Sequence, residues 1–96
     1  SAAKAAQLSL IRSLAVELAP RGIRANAVLA GVVPTAMTTA RRGAASVDAQ
    51  LEALRQLHPL GRLGQPGEVG QVVVSLLSNA WVTGAEVAVD GGLLVG

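Results

Sequence analysis

Two short strand patterns with two helix patterns between them constrain the fold of this 96-residue chain more than any other feature. Apolar residues alternate from Ile23 to Leu29, and a second alternation runs from Glu86 to Val89. Strands that are joined through helices form a parallel pair with a right-handed connection. Parallel sheets almost always carry helices on both faces, and two strands are too few to make such a sheet. The pattern therefore predicts an α/β fold in which these two strands are part of a larger parallel sheet.

Three helices are predicted around these strands. The first runs from Ala2 to Ala19, where apolar residues recur every three or four positions. Pro20 disfavours a helical residue before it and Gly22 supplies a left-handed cap, so this helix should end there. The second helix is predicted from Ser46 to His58, and the third begins at Pro66.

The segment from Gly31 to Thr39 has no apolar period and contains Pro34, so it is predicted to be a loop. This loop leaves the carboxyl end of the first strand, which is the end where ligands bind in open α/β sheets. Residues 1–96 are therefore expected to form one segment with the order helix, strand, loop, two helices and strand.

Composition excludes several classes of function. Hydrophobic residues make up 51% of the chain and aromatic residues only 1%, so any core must be built from aliphatic side chains. The arginines are scattered rather than clustered, which argues against a nucleic-acid partner. The absence of cysteine excludes a thiolate metal site and agrees with a cytoplasmic location. His58 is the only histidine and has no partner at metal-ligand spacing, so no metal is predicted. The longest apolar run, Val69 to Leu77, is too short for a membrane span.

Six motifs follow one another in a fixed order along the chain. They are SAAKAA (1–6), GIRANAV (22–28), GVVPTAM (31–37), PLGRLGQP (59–66), VTG (82–84) and VDGG (89–92). In this order and spacing the chain resembles the short-chain dehydrogenase/reductase family, especially its acyl-carrier-protein ketoreductase-like branch. The resemblance implies the C-terminal part of a doubly wound Rossmann-type domain. The N-terminal dinucleotide-binding half and the catalytic tyrosine of that family would then lie upstream of Ser1.

The resemblance implies roles for three residues. Lys4 matches the lysine that follows the family's catalytic tyrosine by four positions, where an ammonium lowers the pKa of the phenol and hydrogen-bonds the nicotinamide ribose. Val32 and Thr35 match the loop that binds the nicotinamide carboxamide through a backbone group and a hydroxyl. The implied cofactor is NAD or NADP, and the implied substrate is a small carbonyl compound or alcohol. Because the phosphate-binding loop would lie upstream, the chain alone is expected to bind the dinucleotide poorly.

Other polar and aromatic residues are given structural roles. His58 is interpreted as a helix-end residue, and Asn26 is expected to bond locally to backbone beside the first strand. Asp90 should accept backbone hydrogen bonds in the turn that it forms with Gly91 and Gly92. Arg62 is expected either to stabilise its loop or to meet a neighbouring subunit, and Trp81 to anchor a subunit contact.

Two functions of different classes remain open from the sequence. The first is an NAD(P)-dependent oxidoreductase that interconverts a carbonyl and an alcohol by hydride transfer. This chain would be one part of such an enzyme and is expected to be inactive alone. The second is a non-catalytic oligomerisation or interaction module, because unpaired strand edges and uncovered apolar helix faces favour association, most simply as a homo-oligomer.

Overall fold

The computed structural model describes residues 2–34 and 44–95, with the side chains of the second range from residue 48 onward. Helices and strands follow one another in the predicted order. They are α1 (Ala2–Leu18), a 3-10 turn (Ala19–Arg21), β1 (Ala27–Ala30), α2 (Ala44–Leu57), α3 (Pro66–Ser78) and β2 (Glu86–Val89). The predicted starts of α1, α3 and β2 are confirmed, whereas α2 begins two residues before the predicted Ser46.

The end of α1 follows the prediction from Pro20 and Gly22. The last turn tightens into the 3-10 turn, which holds Pro20 within its first two positions. Gly22 adopts φ 73°, and its N–H donates to the Ala19 carbonyl at 2.9 Å. Glycine is needed here because a side chain disfavours the left-handed conformation.

The first strand is shorter than predicted, because it begins at Ala27 rather than at Ile23. Its partner strand starts only at Glu86, which pairs with Ala27. Before that pair, Ala25 bonds to a turn instead of a strand: its carbonyl accepts from Gly84 N–H at 2.7 Å, and its N–H donates to Thr83 Oγ1 at 3.1 Å. The alternation in the sequence begins at Ile23, before the first residue that can pair with β2.

The two strands are parallel, as predicted, in the register Ala27 with Glu86 to Ala30 with Val89. Helix α3 packs against both strands. Helix α1 reaches the opposite face, on which alternation along β2 places Glu86. There Arg12 Nε lies 2.7 Å from Glu86 Oε1, in an ion pair whose geometry does not make a hydrogen bond. Parallel pairing brings the carboxyl ends of both strands to one edge of the sheet.

Arg24 fastens the carboxyl end of α3 to the segment before β1. Its guanidinium donates to the carbonyls of Leu76 at 2.7 Å, Leu77 at 2.9 Å and Val82 at 3.0 Å. The last carbonyls of a helix lack partners within the helix and carry a partial negative charge. An arginine both donates hydrogen bonds to these carbonyls and offsets their charge. The sequence pattern did not reveal this role.

Asn26 corrects the expectation of a local contact. Its Nδ2 donates to the Val82 carbonyl at 3.1 Å, and its Oδ1 accepts from Ala85 N–H at 2.9 Å. Both partners lie more than fifty residues further along the chain. The role is structural, as predicted, but it joins the two strand segments rather than stabilising one of them.

Burial is sparse in the described part of the chain. Ala15 is its one buried apolar side chain, and many large apolar side chains are exposed. Those with more than half of their surface exposed are Leu10, Val16, Leu57, Leu60, Val74, Leu77, Trp81, Leu94 and Val95. Exposed apolar faces of this kind are typical of contact surfaces, whether for protein, ligand or membrane. Within the described ranges, no helix has the length and apolar character needed to cross a membrane.

Candidate functional site

A cleft of about 390 Å³ lies at the edge where both strands end. Its walls come from the loop after β1 (31–33), the segment 58–64, the first turn of α3 and the residues around the end of β2 (88–92). A cleft of this size is within the range of small-molecule sites, and this edge is where open α/β sheets bind ligands. It is therefore the candidate functional site.

A second cleft, of about 540 Å³, lies between α3 and the start of β1. Its polar side chains, Arg24 and Asn26, already bond to backbone groups of the chain. What remains is largely an apolar surface formed by Val28, Val73 and Leu76, among others. This cleft offers a ligand little specific polar chemistry, so the smaller one is preferred.

His58 is the organising side chain of the candidate site, and only 3% of it is exposed. Its Nδ1 lies 2.7 Å from the Leu54 carbonyl, and its Nε2 lies 3.2 Å from Val32 N. A carbonyl only accepts and a backbone N–H only donates. These partners assign a neutral ring with its proton on Nδ1 and an acceptor at Nε2. The ring thus links the end of α2 to the loop after β1.

The interpretation of His58 as a helix-end residue was right about its position and missed this role. A signal was present, because Leu54 precedes His58 by four residues and side chains at that spacing share a helix face. Leu54 belongs to the apolar stripe of α2, so His58 would be buried with it.

Gly31 is in close contact with the residue that follows β2. A Cβ on Gly31 would lie 2.9 Å from Asp90 Cα and 3.0 Å from His58 Nε2. Contacts below about 3 Å require a neighbour to move, and a backbone atom at a strand end moves least readily. Glycine is therefore required for the close packing of the two strand ends.

The backbone of Val32 is held on both sides by the segment 58–64. Its N–H donates to His58 Nε2, and its carbonyl accepts from Gly64 N–H at 3.1 Å. Because the peptide bond is planar and trans, the N–H of Val33 points away from Gly64. The loop thus presents its peptide groups in a fixed orientation.

Arg62 and Glu68 fasten the segment 58–64 to α3. Two guanidinium nitrogens of Arg62 donate to the two carboxylate oxygens of Glu68 at 2.8 and 2.7 Å, and Gln65 N–H donates to Glu68 at 2.9 Å. The hydrogen bond from Arg62, and after it the one from the Gln65 backbone, lowers the pKa of Glu68 to about 2. The same pairing raises the pKa of Arg62. Of the two roles predicted for Arg62, the structure shows loop stabilisation.

Replacing Arg62 by methionine should raise the pKa of Glu68 from about 2 toward the usual value of about 4.3. A folded-state pKa below the unfolded one stabilises the fold above the unfolded pKa, and this stability is lost as the pH falls through the folded value. The window here is from about pH 4.3 down to about 2. An NMR titration of the Glu68 carboxyl carbon measures the pKa directly. A pKa that is equally low in Arg62→Met would show that the ion pair is not its cause.

Asp90 stabilises the turn after β2, as predicted. Its Oδ1 accepts from Gly92 N–H at 3.0 Å and its Oδ2 from Leu94 N–H at 3.1 Å. Both carboxylate oxygens are therefore engaged by the backbone. The carboxylate shapes the cleft wall.

Lys4 lies on the first turn of α1 and is half-buried. Along α1, Ala15 lies beside Gly84 and Arg12 beside Glu86, so α1 runs antiparallel to β2. From Arg12 to Lys4 the helix advances about 12 Å at 1.5 Å per residue. From Glu86 to Val89 the strand advances about 10 Å. This course carries the first turn of α1, with Lys4, toward the edge of the sheet where the cleft lies.

The other two predicted site residues are Val32 and Thr35. Val32 lines the cleft, whereas Thr35 lies outside the described residues. In the described part, the cleft combines aliphatic side chains, glycine backbone, a neutral imidazole and a closed ion pair. Such a lining suits a planar, weakly polar group held by backbone hydrogen bonds better than a phosphate.

Comparison with known proteins gives one consistent result. The family model described as "Enoyl-(Acyl carrier protein) reductase" matches residues 1–94. The chain is 43% identical over 93 residues to carbonyl reductase family member 4 of Danio rerio, covering 97% of this chain and 36% of that protein. It is 40% identical over 97 residues to the 3-oxoacyl-[acyl-carrier-protein] reductase of Thermotoga maritima, covering 99% of this chain and 37% of that enzyme.

The fold gives the same answer. A small-chain dehydrogenase solved in complex with NADPH superposes with a TM-score of 0.81 and 32% identity, covering 96% of this chain and 41% of that one. The chain thus spans well under half the length of the relatives that it matches.

Proposed function

Because the chain belongs to the short-chain dehydrogenase/reductase family, we propose that it forms part of an NAD(P)-dependent oxidoreductase that interconverts a carbonyl and an alcohol. The observation that carries the proposal is the cleft at the carboxyl edge of the parallel strands, with Lys4 carried toward the same edge by the antiparallel course of α1. The names of two relatives, a carbonyl reductase and a 3-oxoacyl reductase, favour a carbonyl substrate. The bound nicotinamide would supply or accept the hydride.

Lys4 is proposed to act on a tyrosine that precedes it by four positions. Residues at this spacing share a helix face, so the ammonium would lie beside the phenol and favour its ionised form. A phenol whose pKa is lowered in this way exchanges a proton with the substrate oxygen near neutral pH. Lys4 would also donate a hydrogen bond to the nicotinamide ribose.

The loop after β1 is proposed to hold the nicotinamide carboxamide. An amide needs one donor and one acceptor, and peptide groups in a fixed orientation provide both. The N–H of Val32 is used by His58, so Val32 would contribute through the second lone pair of its carbonyl or through the peptide that it shares with Val33. Thr35 would add its hydroxyl. The cofactor is NAD or NADP, and a solved relative with NADPH supports the class.

A non-catalytic interaction module remains the second candidate. It is favoured by the exposed apolar side chains along α3 and the turn after it, where Val74, Leu77 and Trp81 are 61%, 71% and 92% exposed. A homo-oligomer would cover them, and in an oxidoreductase the same face would join subunits. A cytoplasmic location is part of the proposal and is supported by the lack of cysteine.

The function is tested with a chimera in which this chain replaces the matching 37% of the Thermotoga maritima enzyme. We expect the chimera to bind NADPH or NADH in calorimetric titration and to reduce a carbonyl substrate, whereas the 96-residue chain alone binds neither tightly. The parent enzyme is the positive control. A folded chimera that assembles but binds no nicotinamide cofactor would favour the interaction module.

A further inference from the structure

His58 is the buried polar side chain of the described ranges, and its contacts point beyond a structural role. We propose that His58 is a positioning residue: it fixes the peptide groups of Val32 in the loop after β1 and thereby sets the affinity for the nicotinamide cofactor without touching it. The inference rests on the proposed function and deepens it.

The imidazole ring of His58 matches its two partners in only one protonation form. Leu54 accepts from Nδ1 and Val32 donates to Nε2, so only the neutral ring with its proton on Nδ1 satisfies both. A rigid five-membered ring with both nitrogens engaged fixes the distance between α2 and the loop. An apolar side chain would leave Val32 N–H without this acceptor, and a donor without a partner seeks another conformation.

Both sides of Val32 are held by one segment of the chain. His58 begins the segment 58–64 and takes the N–H, while Gly64 ends it and donates to the carbonyl. The segment is itself fastened to α3 by Arg62 and Glu68. The loop after β1 therefore has little freedom to rotate its peptide groups while these contacts persist.

His58 contributes packing as well as hydrogen bonds, and two substitutions separate these contributions. The imidazole is in close contact with Gly31, and a Cβ on Gly91 would lie 3.6 Å from His58 Cβ and Cδ2. A phenylalanine would supply a ring for this packing but neither nitrogen. A glutamine places an acceptor near the position of Nε2. The pair His58→Phe and His58→Gln thus tests the hydrogen bond at similar bulk.

The direct test measures amide hydrogen exchange by NMR on the full 96-residue chain. In His58→Phe, Val32 N–H should exchange at least about tenfold faster, and His58→Gln should restore a rate close to that of the unchanged chain. Ala27 N–H, which bonds to the Ala85 carbonyl at 2.8 Å, is the internal reference and should keep its rate. Equal acceleration of Val32 and Ala27 would mean general loosening and would overturn the inference.

The functional test measures the Kd for NADPH in the chimera. His58→Phe should raise it about tenfold, equivalent to about 1.4 kcal/mol, with a smaller effect on kcat at saturating cofactor than on Kd, and His58→Gln should recover most of the affinity. If the unchanged chimera and His58→Phe bind NADPH with the same Kd, the role of His58 is overturned and the proposed function still stands. A chimera that binds no NADPH before any substitution would overturn the proposed function, and the cofactor claim for His58 would fall with it.

Discussion

Replacing Lys4 by methionine in the chimera should lower kcat by about 100-fold or more, the usual range for losing assistance to a general acid. Methionine keeps the length and the apolar stem of the side chain but removes the ammonium. A neighbouring phenol would then ionise at higher pH, because the positive charge that favours its ionised form is gone. In the direction of alcohol oxidation, in which the phenolate accepts the proton, the remaining activity should therefore rise toward alkaline pH. Steady-state kinetics between pH 6 and 10 measure both effects.

Arg21→Met is the matched control for Lys4. Arg21 is exposed in the 3-10 turn at the opposite end of the first helix. The substitution removes one positive charge far from the cleft and should leave kcat unchanged. Lys4→Arg should remain impaired, because a planar guanidinium does not reproduce the compact ammonium. If Lys4→Met and Arg21→Met have equal kcat values, Lys4 has no part in the chemistry.

The largest loss of stability is expected from Gly31→Ala. The added methyl would lie 2.9 Å from Asp90 Cα and 3.1 Å from Asp90 Cβ, and it would also press on His58. Neither strand end can move without disturbing the parallel pair. Overpacking of this kind lowers the free energy of unfolding by about 1–3 kcal/mol. For a protein the size of the chimera, each kcal/mol lowers Tm by roughly 2–4 °C.

Gly70→Ala is the matched control and should have the opposite sign. Gly70 lies inside α3, and a Cβ there meets nothing within 4 Å. Alanine in a helix interior is more stable than glycine by about 0.5–1 kcal/mol. Thermal unfolding of both variants and of the unchanged chimera measures the three Tm values. A Tm for Gly31→Ala that equals or exceeds that of Gly70→Ala would show that the strand ends have room which the structure does not indicate.

The helices and the second strand were predictable because their signals are local. Apolar spacing, Pro20 with Gly22, and Pro66 act within one or two turns of the backbone, and each predicted end lies within two residues of the observed one. The parallel pairing was also predictable, since a connection through helices permits little else. The family followed from the order of six motifs over the whole chain.

The sequence by itself thus determined the type and order of the elements, the family, and the edge of the sheet where the cleft lies. Tertiary structure alone decided that β1 begins at Ala27, because pairing depends on where the distant partner strand starts. It also decided the partners of Arg24, Asn26 and His58, all of which are backbone groups. Every residue except proline offers the same N–H, and every residue the same carbonyl, to such side chains, so the sequence carries no code for these contacts. Their positions exist only once the chain has folded.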